Sequence, residues 1–101
     1  MAYGYLGTMR TLPGLRDDVV ATLVEGSAAL ASAGCQLYLV SVSEDEPDRI
    51  WVSEVWGSKE QHDASLALPE VKAGITATMP KLTGEFTSQE LYVVGGLGLD
   101  D

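Results

Sequence analysis

A chain of 101 residues, 46% of them hydrophobic, can build one compact core and is too short for two ordinary domains, so residues 1–101 are read as one domain. Its 15 acidic and 6 basic residues leave a formal charge of −9, and the basic ones are scattered from Arg10 to Lys81, which argues against nucleic acid as a partner. A single cysteine, Cys35, excludes an intrachain disulfide and any site of several thiolates, and no stretch approaches the ~20 apolar residues of a membrane span.

The chain opens on a strand pattern. From Tyr3 to Thr11 aromatic and aliphatic residues interleave with Gly4, Gly7 and Thr8, without the basic start or apolar core of a secretory signal, so a cytoplasmic protein with no membrane partner is expected. Leu12-Pro13-Gly14 ends the run. Pro13 suits a first helical position, and Leu15, Val19, Leu23, Ser27 and Leu30 then recur on one stripe, predicting a helix from about Pro13 to Ala33. Asp17 and Asp18 favour its first turn, and Gly34 suits the residue just past its end.

Cys35 to Val42 is short and β-rich, Ser43 to Arg49 is a polar loop, and Ile50 to Trp56 resumes the strand pattern, which together predict an antiparallel hairpin. The acidic loop Glu44–Asp48 lacks the spacing and glycine of a calcium loop and reads as solvated. Gly57 breaks the strand, and Ser58 with Gln61 three residues on matches a capping box for a helix through about Ala67. Leu68-Pro69 interrupts it. Pro69 can open a second helical piece, on which Val71, Ile75, Thr78, Met79 and Leu82 fall at helical spacing, with Pro80 and Gly84 marking its end. Glu85 to Val94 reads as the last strand, and residues 95–101 as a tail that is mobile or ordered only by a partner.

The order β-α-β-β-α-β is that of a ferredoxin-like α+β domain, with helices on one face of a four-stranded antiparallel sheet. Strand two carries Leu37 and Leu39 on one face and Tyr38, Val40 and Val42 on the other; strand three sets Ile50, Val52 and Trp56 against Trp51 and Val55. The apolar residues on the two faces are chiefly Tyr38, Val40, Val42, Trp51 and Val55; the helices can cover one face only, so a second copy of the sheet is the expected cover for whichever parity faces away from them.

The run from Trp51 through Glu54, Trp56, Ser58 and His62 to Leu66, followed by Leu68-Pro69-Glu70-Val71, resembles the middle of an antibiotic-biosynthesis-monooxygenase domain, and the resemblance extends from about Tyr3 to Val94. In that family a third strand ending Glu-x-Trp runs into a helix carrying a His or Ser/His segment. The resemblance implies a dimeric α/β barrel, in which two sheets pack face to face and each subunit keeps a pocket between sheet and helices. It also implies a cofactor-independent monooxygenase that oxidises a small electron-rich aromatic, such as a quinol or anthrone, with O2. A non-catalytic dimeric module binding a hydrophobic metabolite and a haem-binding or haem-degrading relative are the alternatives. Anthrone oxidisers of the family carry an Asn four residues before the tryptophan, where Val52 stands here; haem degraders carry a His about ten residues after it, where Ser65 and Leu66 stand.

Val52, Glu54 and Trp56 share one strand face, and that face of a central strand looks towards the helices and any pocket. Trp56 is either a core residue or an aromatic pocket wall. A carboxylate at Glu54 must find a partner, meet a water-filled pocket or become protonated, which leaves it half of a structural ion pair or a general base. His62 is the only histidine; a lone helix histidine usually sits at the surface or rim, and the competing reading turns it into the pocket as an acid or hydrogen-bond donor. Tyr3, Tyr5, Tyr38 and Tyr92 are strand packing or phenolic donors. The expected site thus has Glu54 and His62 as catalytic groups, with Trp56, Val52 and Tyr5 against the substrate and no cofactor.

Overall fold

The chain pairs four strands into one antiparallel sheet of order β2-β3-β1-β4. In the computed structural model, which describes residues 2–99, the elements are β1 (Ala2–Thr11), α1 (Arg16–Ser27), β2 (Cys35–Val42), β3 (Arg49–Trp56), α2 (Lys59–Ser65), α3 (Pro69–Thr78) and β4 (Leu82–Val93). This is the ferredoxin-like α+β order, with its second helix split at Leu68-Pro69 as the sequence indicated. Among the described residues no helix is long and apolar enough to cross a membrane. The last two residues of the expected tail lie outside the described residues.

Two of the predicted boundaries move. Pro13 does not open α1: Gly14 has φ +81°, a left-handed conformation that a helix cannot pass through, and its N–H reaches the Asp48 carboxylate while Leu15 N–H bonds back to Leu12. The helix begins at Arg16, and its last six residues, Ala28–Ala33, tighten to a 3-10 turn. That turn closes on Gly34 at φ +106°, whose N–H caps the Leu30 and Ala31 carbonyls. Leu82 belongs to β4 rather than to the helix. After Met79–Lys81 the chain pairs back onto β1, with Leu82 opposite Thr11 beyond a register shift and Leu12 N–H bonded to the Lys81 carbonyl at 2.8 Å. Gly84, at φ +93°, is thereby part of the strand and not the helix end.

Strand alternation decides what faces the helices. In β3 the inward set is Ile50, Val52, Glu54 and Trp56, and the register lays Tyr3 and Tyr5 of β1 and Tyr38 and Val40 of β2 beside them. Two clusters result. Val19, Ile50 and Val52 form an aliphatic knot at one end, with Val19 and Ile50 fully buried; Tyr3, Leu30 and Trp56 form an aromatic one at the other.

The irregularity between Cys35 and Leu37 sets the phase of β2 so that Tyr38, Val40 and Val42 pair with Glu54, Val52 and Ile50 on the helix side. The parity that faces away from the helices is therefore that of Trp51 and Val55, with Leu37 and Leu39, and not that of Tyr38, Val40 and Val42. Leu6, Leu39 and Leu91 on that outer face are 46%, 52% and 42% exposed, an apolar surface with no cover from the chain's own helices.

Candidate active site

The short helix α2 sets the site. Ser58, extended at φ −155°, caps it by accepting the Gln61 N–H at 3.2 Å, as the capping pattern requires. The Gln61 side-chain amide lies over Gly34 and Gly57, within 2.5 Å of where a Cβ would stand at either, and Gly34 at φ +106° also has a backbone that favours glycine. One turn on, His62 points inward and not to the surface or rim. Its ring stacks on Tyr5 at 5.0 Å, tilts against Tyr3 at 5.3 Å and meets Trp56 edge-on at 5.7 Å, leaving the side chain 12% exposed. The reason is spacing: His62 and the buried Ser65 lie three residues apart on one helical face, and Ser65 Oγ donates to the His62 carbonyl at 2.6 Å.

Glu54 and Trp56 are next-but-one neighbours on the same face of β3, and the indole Nε1–H donates to Glu54 Oε1 at 2.9 Å. The same carboxylate oxygen is 4.0 Å from His62 Nε2. No Lys or Arg of the described residues pairs with Glu54; Lys59, the nearest cation of the cluster, holds Glu90 at 2.8 Å and Asp63 at 3.7 Å. Burial pushes the Glu54 carboxyl above the ordinary glutamate range, and the Trp56 hydrogen bond and His62 offset that only in part. Tyr38, opposite Glu54 in the register, has its phenol pushed up by burial and then by the Glu54 charge, which keeps it a hydrogen-bond donor.

A cavity of about 250 Å³ lies between the sheet and the helices. Tyr38, Glu54 and Trp56 form part of its floor, His62 and Ser65 one end, and Leu30 of the α1 extension with Val71 and Ile75 of α3 its apolar roof. A second cavity of about 230 Å³ adjoins it, and Glu54, Tyr38, Met9 and Phe86 line both. The five residues singled out in sequence are thus divided. Glu54, Trp56 and His62 meet in the first cavity, while Tyr5 and Val52 line the second, Val52 chiefly as a core residue 5% exposed. Sequence reasoning left Tyr38 as strand packing or a phenolic donor and passed over Thr78, whose buried hydroxyl on the cavity wall has no hydrogen-bond partner among the described residues. A threonine on an otherwise apolar helical stripe was the available signal for Thr78.

The haem reading meets a poor donor set. His62 Nδ1 is engaged by Asp63 at 3.0 Å and Nε2 points at Glu54 Oε1 at 4.0 Å, so an iron placed on Nε2 would have to displace the Glu54 carboxylate. Among the described residues no group of three His, Cys, Asp or Glu side chains could hold a metal ion.

Comparison with known proteins fits this geometry. The profile of the family described as antibiotic biosynthesis monooxygenase matches residues 3–77. A crystal structure from Chloroflexus aurantiacus J-10-fl, assigned to the antibiotic biosynthesis monooxygenases, is 41% identical and superposes with a TM-score of 0.89 over 99% of this chain and 100% of that one. One from Caulobacter crescentus CB15 with the same assignment is 20% identical, with a TM-score of 0.84 over 93% and 91% of the two chains. SnoaB of Streptomyces nogalater, a cofactor-independent oxygenase, shares the fold at 14% identity, with a TM-score of 0.78 over 95% and 96%. No curated protein matches the chain. With a family match over most of its length and a 41% identical relative covered from end to end, the chain belongs to the antibiotic biosynthesis monooxygenase family, whose fold is of the dimeric α/β-barrel type.

Proposed function

We propose that this family member is a cofactor-independent monooxygenase that oxidises a small electron-rich aromatic, of the quinol or anthrone type, with O2. The observation that carries the reading is Glu54, a carboxylate on a central strand with no Lys or Arg partner, at the junction of two cavities and beside His62. A carboxyl raised by burial is a stronger base when ionised, which suits it to take a proton from the substrate and return it. The volume of about 250 Å³ is close to the lower end of ligand sites, about 300–1,000 Å³, and suits a small molecule.

In the proposed reaction Glu54 removes a proton from the acidic ring carbon or hydroxyl of the substrate. The anion passes an electron to O2, the two radicals join through a new C–O bond, and loss of water leaves one oxygen in the product carbonyl and the other in water. Trp56 walls the ring, and Tyr38 is the phenol placed to donate to the substrate oxygen, a role that Val52 has no group to fill. Oxygen uptake over a panel of hydroquinones and anthrones, with ¹⁸O2 label followed into product, tests the reading. Uptake with one label per product is expected; tight binding without uptake would leave a binding module, and a shifted Soret band on titration with haemin would reinstate the haem alternative.

The same reading takes residues 1–101 as one domain of a cytoplasmic homodimer, with Leu6, Leu39, Trp51 and Val55 of the outer sheet face covered by a second copy. Sedimentation at micromolar concentration is expected to give twice the chain mass. A well-behaved monomer would sink the dimer.

A further inference from the structure

Behind His62 lies a carboxylate that the proposed reaction has not yet used. Asp63, half exposed, places Oδ1 3.0 Å from His62 Nδ1. An ionised carboxylate only accepts, so Nδ1 carries the hydrogen and, in the neutral ring, Nε2 is left with a bare lone pair. That lone pair faces Glu54 Oε1 at 4.0 Å. We propose that Asp63 is a positioning residue: it fixes the His62 tautomer so that Nε2 receives the proton Glu54 has taken and holds it in the cavity for the oxygen that leaves as water.

The inference rests on the reading of Glu54 as the base. The surroundings of His62 leave Asp63 alone in this part. From β1 the ring meets Tyr3 and Tyr5, from β3 Glu54 and Trp56, and from its own helix Lys59 and Asp63, with Glu90 of β4 attached through Lys59. Lys59 lies 5.5 Å from the centre of the Tyr3 ring and pairs with both acids at the mouth, so it holds the carboxylates in place and offers His62 no acceptor. Burial keeps Tyr3 a neutral phenol, which leaves no second anion beside the ring on the β1 side.

The proton count closes. The substrate proton moves to Glu54; the Glu54 O–H proton then moves to Nε2 across a gap that one water or an ångström-scale shift spans, giving an imidazolium between two carboxylates. The imidazolium then gives its Nε2 proton to the peroxide anion formed on the substrate, which loses water, so that the ring returns to its neutral Nδ1–H form with Glu54 once more a carboxylate. No electron is transferred in these steps.

Because His62 is the only histidine, its ring nitrogens can be read without assignment by substitution, in the full-length chain labelled with ¹⁵N. In the neutral ring the wild type should show a protonated Nδ1 and a bare Nε2. Asp63→Ala should move the hydrogen to Nε2, while Asp63→Asn, whose side-chain carbonyl still accepts, should retain the wild-type pattern. On any substrate the wild type oxidises, Asp63→Ala should lower kcat by roughly 10–100-fold with KM little changed, the size of loss seen when the carboxylate that orients a metal-ligating histidine is removed. A wild-type ring protonated on Nε2, or a tautomer unchanged in Asp63→Ala, would overturn the proposal. Absence of oxygen uptake with the expected tautomers would instead defeat the proposed reaction and leave the Asp63–His62 geometry standing.

Discussion

The helix-side face of the sheet is built in two halves that share strands but not character. At one end Val19, Ile50 and Val52 interlock into an aliphatic core that contains no charged side chain, with the Tyr38 ring packed against its edge. At the other end Tyr3, Leu30 and Trp56 pack around a histidine, with a carboxyl group and open space close by. Branched aliphatic side chains fill space to high density, whereas flat rings held edge-on leave gaps that a ligand can occupy. The same sheet can therefore be rigid at one end and chemically equipped at the other, and the sequence marks the division between Val52 and Glu54.

Substitutions on either side of that division test it. The largest effect is expected at Glu54: Glu54→Gln should lower turnover by about 10²–10⁴-fold, as loss of a general base does, with sedimentation unchanged. Unchanged turnover would return Glu54 to a structural role. In the aliphatic half, Ile50→Ala should destabilise the fold by about 2–5 kcal/mol in urea denaturation, because a fully buried side chain leaves a new void. Leu30→Ala should fall at the bottom of that range, about 2 kcal/mol, since Leu30 already borders a cavity and its removal enlarges existing space. Equal losses at the two positions would contradict the difference between the halves.

Smaller effects sharpen the same contrast. Ser58→Ala removes the cap of the helix that carries His62 and should destabilise by about 0.5–2 kcal/mol. The last expectation concerns pH. The folded state raises the Glu54 carboxyl, so folding favours its protonated form. Stability from this group is greatest below the unfolded value, about 4.3, declines as pH rises towards the folded value, and is level above it. Glu54→Gln should thus be more stable than wild type near neutrality, with the difference closing near pH 4. Asp63 and Glu90, whose carboxyls are lowered by His62 and Lys59 respectively, have the opposite dependence but are present in both proteins and cancel in the comparison. A difference that stays constant with pH would show that burial does not raise this carboxyl.

Much of the architecture was legible in local signals. Ser58, the Leu68-Pro69 break, Gly34 and the strand alternation each act over a few residues, and each stands where the pattern placed it. The misplaced boundaries, at Pro13 and Leu82, are those where a distant strand or loop supplies the hydrogen bond: Asp48 to Gly14, and Leu12 to Lys81. Short-range spacing cannot contain such partners.

For the site, the sequence by itself determined that Val52, Glu54 and Trp56 share a face, because a period of two is a local property of a strand. It also determined that both faces of β2 and β3 are apolar, which is a matter of composition. Only the tertiary structure decided that His62 turns inward, that Tyr38 rather than Leu39 lies beside Glu54, and that Asp63 rather than Lys59 touches the imidazole. These choices depend on the phase of β2 after its irregularity and on the packing of α2, whose Gln61 side chain lies over Gly34 and Gly57. Both are contacts between segments far apart in the chain, and the side chains that meet there carry no mark of one another in the sequence.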